Sequence, residues 1–170
     1  MKKLRDPGHR TVCVRAGLGV LAIAAFLIAG TARASMSQLP FGTLVQSAKL
    51  IVVGDVLDMK SELVDGGGRI ETLVTLKVYD SFKGDYLGLL TVRIGGGEVD
   101  GARMWEEDQP EFAVGKAVVL FVEPQGSSYT VTGWFQGKFD LLGDGVYRDG
   151  EYQGTVDEFR QRVAKALGGK

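Results

Sequence analysis

Leu50-Ile51-Val52-Val53-Gly54-Asp55-Val56-Leu57 is the stretch on which the fold turns. Four apolar residues in succession leave no polar face, so the strand they form is buried on both sides. Gly54 interrupts the run, and a glycine inside such a strand marks a bulge or a sharp bend where the strand changes sheet. A long, bent first strand serving two sheets is how a small Greek-key barrel begins, the OB-fold being the best named candidate. Upstream, Thr43 to Lys49 has the length of one or two helical turns, packing Leu44, Val45 and Ala48, and Ser35 to Gly42 reads as an irregular lead-in.

Downstream, strand follows strand. After the turn Asp65-Gly66-Gly67-Gly68, Ile70, Thr72, Val74, Leu76 and Val78 alternate with Glu71, Leu73, Thr75, Lys77 and Tyr79. That alternation predicts a strand with one buried face. Lys83-Gly84 and Gly88 punctuate a turn, and Leu90, Val92 and Ile94 alternate with Thr91 and Arg93 in a third strand. Gly95 to Glu111 is a long, acidic, glycine-rich connection. Ala117 to Val122, apolar on both faces, reads as a central fourth strand, and Ser128 to Phe135 as a fifth. Gly137 to Tyr147 adds a hairpin turned at Gly143-Asp144-Gly145. The chain closes in a helix over 156–167: Thr155 and Glu158 have capping-box spacing, and Val156, Phe159, Val163 and Leu167 share one face. The expected class is mainly β, a small Greek-key OB-like barrel of five to seven antiparallel strands with a C-terminal helix. A two-sheet sandwich is the alternative.

The first 34 residues read as an export signal. A basic start (Lys2 to Arg15) precedes an apolar run from Ala16 to Gly30, and Ala32-Arg33-Ala34 supplies small residues at the cleavage positions. The run of 15 residues is short of the roughly 20 that span a bilayer as a helix. Cleavage after Ala34 by the general export route is the favoured reading, with a secreted or periplasmic product that keeps no stable membrane anchor. An uncleaved anchor is the alternative. Removing six bases and one acid from 20 and 21 leaves 14 and 20, a net charge of -6 on a single domain spanning 35–170. His9 and Cys13, the one histidine and one cysteine, also fall in the removed part. That excludes a Ser-His-Asp triad, a cysteine nucleophile, an imidazole or thiolate metal site and a disulfide. The acidic balance argues against nucleic acid as a partner.

Ser47-Ala48-Lys49-Leu50-Ile51-Val52-Val53-Gly54-Asp55-Val56 also resembles the opening of netrin-like, or tissue-inhibitor-of-metalloproteinase-like, domains, where a small helix leads into an apolar strand ending in Gly-x-Val. Similar segments follow in order: Lys77 to Gly84, Leu90 to Arg93, and Phe112 to Val122, within a span from Thr43 to Trp134. Gln136-Gly137-Lys138-Phe139 is similar to a segment of cysteine-free bacterial secreted versions. The resemblance implies an OB-like barrel outside the cytoplasm, in a family whose members sometimes act on proteases. Inhibitory members chelate the protease metal through an N-terminal cysteine. Here the expected start is Ser35 and no cysteine follows, so that activity does not carry over.

Few side chains suggest chemistry. Gly66-Gly67-Gly68 and Gly95-Gly96-Gly97 lack the Lys-Ser or Lys-Thr and the helix start of a phosphate cradle, and read as turns. Glu98, Asp100, Glu106, Glu107, Asp108 and Glu111 crowd one connection, with Glu98, Asp100 and Asp108 as calcium candidates. The spacing does not match a calcium-binding loop, and a solvated acidic loop is the simpler reading. Asp144-Gly145 and Asp149-Gly150 read as hairpin turns. Met104 and Trp105 stand in that polar connection and Trp134 at a strand end. All are binding candidates, with burial against the barrel favoured for Trp105 and core or barrel-mouth packing the plain alternative for Trp134. Paired carboxylates leave a carboxylate-dependent hydrolase formally open, but none form an evident constellation. Ser47-x-Lys49 and Ser81-x-Lys83 have the wrong context for a Ser-Lys dyad. The favoured function is a non-catalytic exported binding or accessory domain without cofactor, its partner an extracellular protein such as a protease. A hydrolase and a structural envelope component are the alternatives.

Overall fold

The computed structural model describes residues 38–168, so the expected export signal, the expected cleavage site and the anchor alternative lie outside the described residues. A short helix α1 (Phe41–Ser47) leads into β1 (Leu50–Val64), which turns at Asp65–Gly67 into β2 (Arg69–Lys83) and then β3 (Gly88–Gly95). A hairpin of β4 (Gly97–Val99) and β5 (Ala102–Met104) follows. After it come β6 (Ala117–Gln125), β7 (Ser128–Val131), β8 (Lys138–Leu142), β9 (Gly145–Arg148), β10 (Glu151–Thr155) and helix α2 (Val156–Ala166).

The protein is mainly β, and its large sheet closes on itself. β1 pairs with β2 along its length and with β6 over residues 50–55. The ring runs β1-β2-β3-β7-β6 and back to β1, with β8, β9 and β10 extending from β6. Both marks of the OB-like expectation are present: a first strand shared between two partners, and an excursion after the third strand. Gly54 lies at a register shift, next to the residue where β1 parts from β6 and continues with β2 alone.

Doubly apolar strands have two cores to fill. Leu50, Val52 and Val56 of β1 and Val118, Leu120 and Val122 of β6 face the inside of the ring, with Val74, Leu76, Val78, Leu90 and Val92. Ile51 and Val53 of β1 and Val119 and Phe121 of β6 face outward, where Leu44, Val45, Phe139, Val146, Phe159 and Val163 cover them. β2, by contrast, buries one face and exposes Lys77 and Tyr79 on the other. That is the physical content of the alternation in one strand and its absence in the others.

These details differ from the sequence reading. Among the described residues there are ten strands, not five to seven, because the excursion carries the hairpin β4–β5 and Glu151–Thr155 adds an edge. One contact is parallel, Val92 of β3 beside Tyr129 of β7. The fifth strand stops at Val131, not Phe135, because Gly133 and Trp134 both take left-handed backbone (φ 69° and 54°) and turn the chain. The helix ends at Ala166, with Leu167 as its cap; its capping box between Thr155 and Glu158 is complete.

One tether was not foreseen. The last carbonyls of a short helix need partners from outside it, and Lys83 Nζ donates to the carbonyls of Val45 (2.6 Å), Gln46 (3.1 Å) and Ala48 (2.5 Å). Burial, and then the charge of Lys49, hold the Lys83 pKa below the usual lysine value. Its ammonium thus leans on these three acceptors. Lys83→Met should lower stability by about 1 kcal/mol, as for a cation removed from a helix C-terminus. The check is urea denaturation at neutral pH, and an unchanged midpoint would mean that water serves the carbonyls equally well.

Candidate functional site

The end of the ring that carries the excursion opens into a cleft of about 550 Å³, a size typical of ligand sites. Met59 of β1, Ile94 of β3 and Phe112 form its floor and pack against the inner core. Met104, Trp105 and Pro110 supply apolar walls, and Gly95, Gly96 and Gly97 line one side with backbone.

The triple glycine is a seat for the returning loop. A Cβ on Gly95 would lie 1.9 Å from Glu106 Oε2, and one on Gly96 would lie 2.8 Å from the Met104 carbonyl oxygen. Glu106 is held there by Arg69, whose Nε approaches its carboxylate at 3.6 Å. Arg69 also pairs with Glu71, which is 8 % exposed and receives Arg93 Nη1 at 2.6 Å. Arg93 reaches on to Glu62 at 3.3 Å. The hydrogen bond to Glu71 leads the effects that raise the Arg93 pKa, and Arg93 supplies the partner that a nearly buried acidic side chain requires. This chain of five charges runs from the excursion across β2 and β3 to β1. Sequence reading missed it because its members come from three strands and the loop.

Met104 and Glu106 turn inward and Trp105, between them, turns out, 77 % exposed at the rim of the cleft. The expectation that it is tucked onto the sheet is therefore wrong. Trp134 is 50 % exposed rather than packed into the core or the mouth, since the left-handed turn sends Gln136 inward in its place. Trp134 does not line the cleft, although the Phe135 N–H donates to the Asp108 carbonyl (3.0 Å) and joins its turn to the excursion.

The acidic residues are dispersed. Glu98 pairs with Arg103 at 2.7 Å. Asp100, with φ 50°, and Gly101, with φ 81°, form the two-residue loop between Val99 and Ala102, a turn that demands left-handed backbone at both positions. Asp149-Gly150 does the same between β9 and β10. Asp108 is likewise left-handed and exposed. Among the described residues no three carboxylates gather as a metal ligand set, and no helix is long and apolar enough to cross a membrane.

The arrangement thus offers an apolar slot, a displayed indole and a rim in which Glu98, Glu106 and Glu111 face the single cation Arg103. No protein-family model matches the chain, and no curated protein matches it.

Proposed function

We propose that this chain is an exported, non-catalytic binding module whose partner engages the cleft beneath Met104 and Trp105. The observation that carries the reading is the 77 % exposure of Trp105 over an apolar cleft. A large indole left in water at a polar-rimmed apolar site is the kind of surface that marks recognition. Residues 38–168 hold neither His nor Cys, which favours binding over acid-base or nucleophilic chemistry. The netrin-like resemblance lends support for placing the partner outside the cytoplasm. It leaves an extracellular protease as one candidate partner.

The test is site-specific photo-cross-linking. A benzophenone amino acid at position 105, in the full chain expressed in its native host, should give a discrete cross-linked species. The same amino acid at Gln161, exposed on α2, should not. Equal yields from both positions, or none from 105, would overturn the reading.

A further inference from the structure

Six arginines lie among the described residues, and four of them pair with carboxylates: Arg69, Arg93, Arg103 and Arg160. Arg148 and Arg162 form no ion pair among the described residues, although acids outnumber bases there. These two line the same cleft. It holds about 260 Å³ between the lead-in to α1, the end of β9 and the middle of α2, with Gln38, Phe139 and Gln153 beside the two guanidiniums. Among the described residues no carboxylate lines it.

Both guanidiniums are held in place. Arg148 lies over the Phe139 ring at 5.5 Å, and Arg162 over Phe41 at 4.5 Å and Phe159 at 5.4 Å. Arg162 Nη1 also donates to the Gln153 carbonyl at 2.8 Å. A guanidinium carries five N–H donors in its plane, and stacking on a ring leaves them for acceptors. Among the described residues Arg162 spends this one donor and Arg148 none. The adjoining depression carries the same sign: Lys165 lines it with Gln153 and Arg162, and its one acid, Glu158, is engaged in the capping box.

Two like charges on one small cleft repel each other, and a ligand with two negative charges removes that repulsion. A single carboxylate matches one guanidinium, whereas a tetrahedral dianion presents oxygens to both. The volume lies below that of a site for a drug-sized molecule and suits a small ion or a terminal group.

We propose that this cleft is an anion site, in which Arg148 and Arg162 together hold a phosphate dianion, either the free ion or the phosphoryl group of a monoester. It shares no residue with the cleft beneath Trp105, so it stands or falls apart from the binding-module reading.

The experiment is isothermal titration calorimetry of the full chain with inorganic phosphate, at a mildly alkaline pH where phosphate carries two charges. Acetate and chloride at matched ionic strength are run beside it. Phosphate should bind, and acetate should bind at least about tenfold more weakly, the scale of one charge-assisted hydrogen bond. Arg148→Gln should weaken phosphate binding by about the same factor. Lys60→Gln removes an equal charge from an exposed position outside the cleft and should leave binding within about twofold, since salt screens such a charge. Arg162→Gln should match Arg148→Gln, but it also takes a stacking contact from α2, so Arg148→Gln carries the test, with its fold checked by circular dichroism. Methyl phosphate separates the two sources: binding as tight as that of phosphate assigns the site to a terminal phosphoryl group, and clearly weaker binding assigns it to the free ion. Equal binding of phosphate and acetate, no binding of phosphate, or the same loss in Arg148→Gln and Lys60→Gln would overturn the inference.

Discussion

Phe159→Ala should destabilise the protein by about 3–5 kcal/mol, the range for removing a large aromatic from a core. Phe159 is fully buried and four rings surround it: Phe139 at 4.8 Å, Phe41 at 5.4 Å, and Phe82 and Phe121 at 6.3 Å between centroids. These rings come from α1, β2, β6 and β8, so one side chain of α2 holds four elements. Edge-on aromatic contacts add to the area that is buried. Relaxation into the vacated space is restricted, because Arg160 stacks on Phe82 at 4.4 Å and Arg162 on Phe41 at 4.5 Å, pinning the helix on both sides. Against a total stability of roughly 5–15 kcal/mol for a domain, the loss brings the fold close to its limit. Equilibrium denaturation in urea, with Phe159→Leu as the milder companion, measures it. A loss below about 1 kcal/mol would mean that α2 docks on a ring that folds without it.

The ring strands were readable because burial imposes a period. β1 and β6 lack alternation since both their faces are covered, and Val74, Leu76 and Val78 alternate since one face is. The capping box of α2 was readable because its partners, Thr155 and Glu158, are three residues apart. What escaped is what sequence distance hides. β4 and β5 have three residues each, too few for a period to emerge. Asp100-Gly101 was the available signal, and the surrounding carboxylates drew it into a calcium reading. Gly133 marked a turn, but a tryptophan with positive φ is so unusual that nothing in Trp134-Phe135 announces the end of a strand.

The site was half legible for the same reason. A methionine and a tryptophan in a polar connection drew attention to Met104 and Trp105, and the cleft contains both. The indole faces outward beside an inward Glu106, whose carboxylate lies 3.6 Å from Arg69 at the start of β2, 37 positions earlier in the chain. An ion pair of that separation has no local signature.

Gly54→Ala should cost about 2–3 kcal/mol even though it adds a single methyl group, an overpacking effect. The backbone at Gly54 is not left-handed, so conformational strain is not the cause. The cause is the neighbouring strand. A Cβ at this position would stand 2.7 Å from the Lys77 carbonyl oxygen and 3.1 Å from both the Lys77 carbonyl carbon and Val78 Cα. All three atoms are backbone, so no rotamer change relieves the clash and β2 itself must move. Movement there is costly because Gly54 sits in the segment of β1 paired on both edges, to Val78 of β2 and Val118 of β6. Opening one ladder strains the closure of the ring. The comparison that isolates this cause is Gly42→Ala, in α1, where nothing lies within 4 Å of the new methyl group. Replacing a glycine within a helix by alanine stabilises by up to about 1 kcal/mol, so the two substitutions should shift the denaturation midpoint in opposite directions. Similar shifts for both would mean that the β1–β2 ladder yields at Gly54, and that the bend is set by the apolar residues on either side of it.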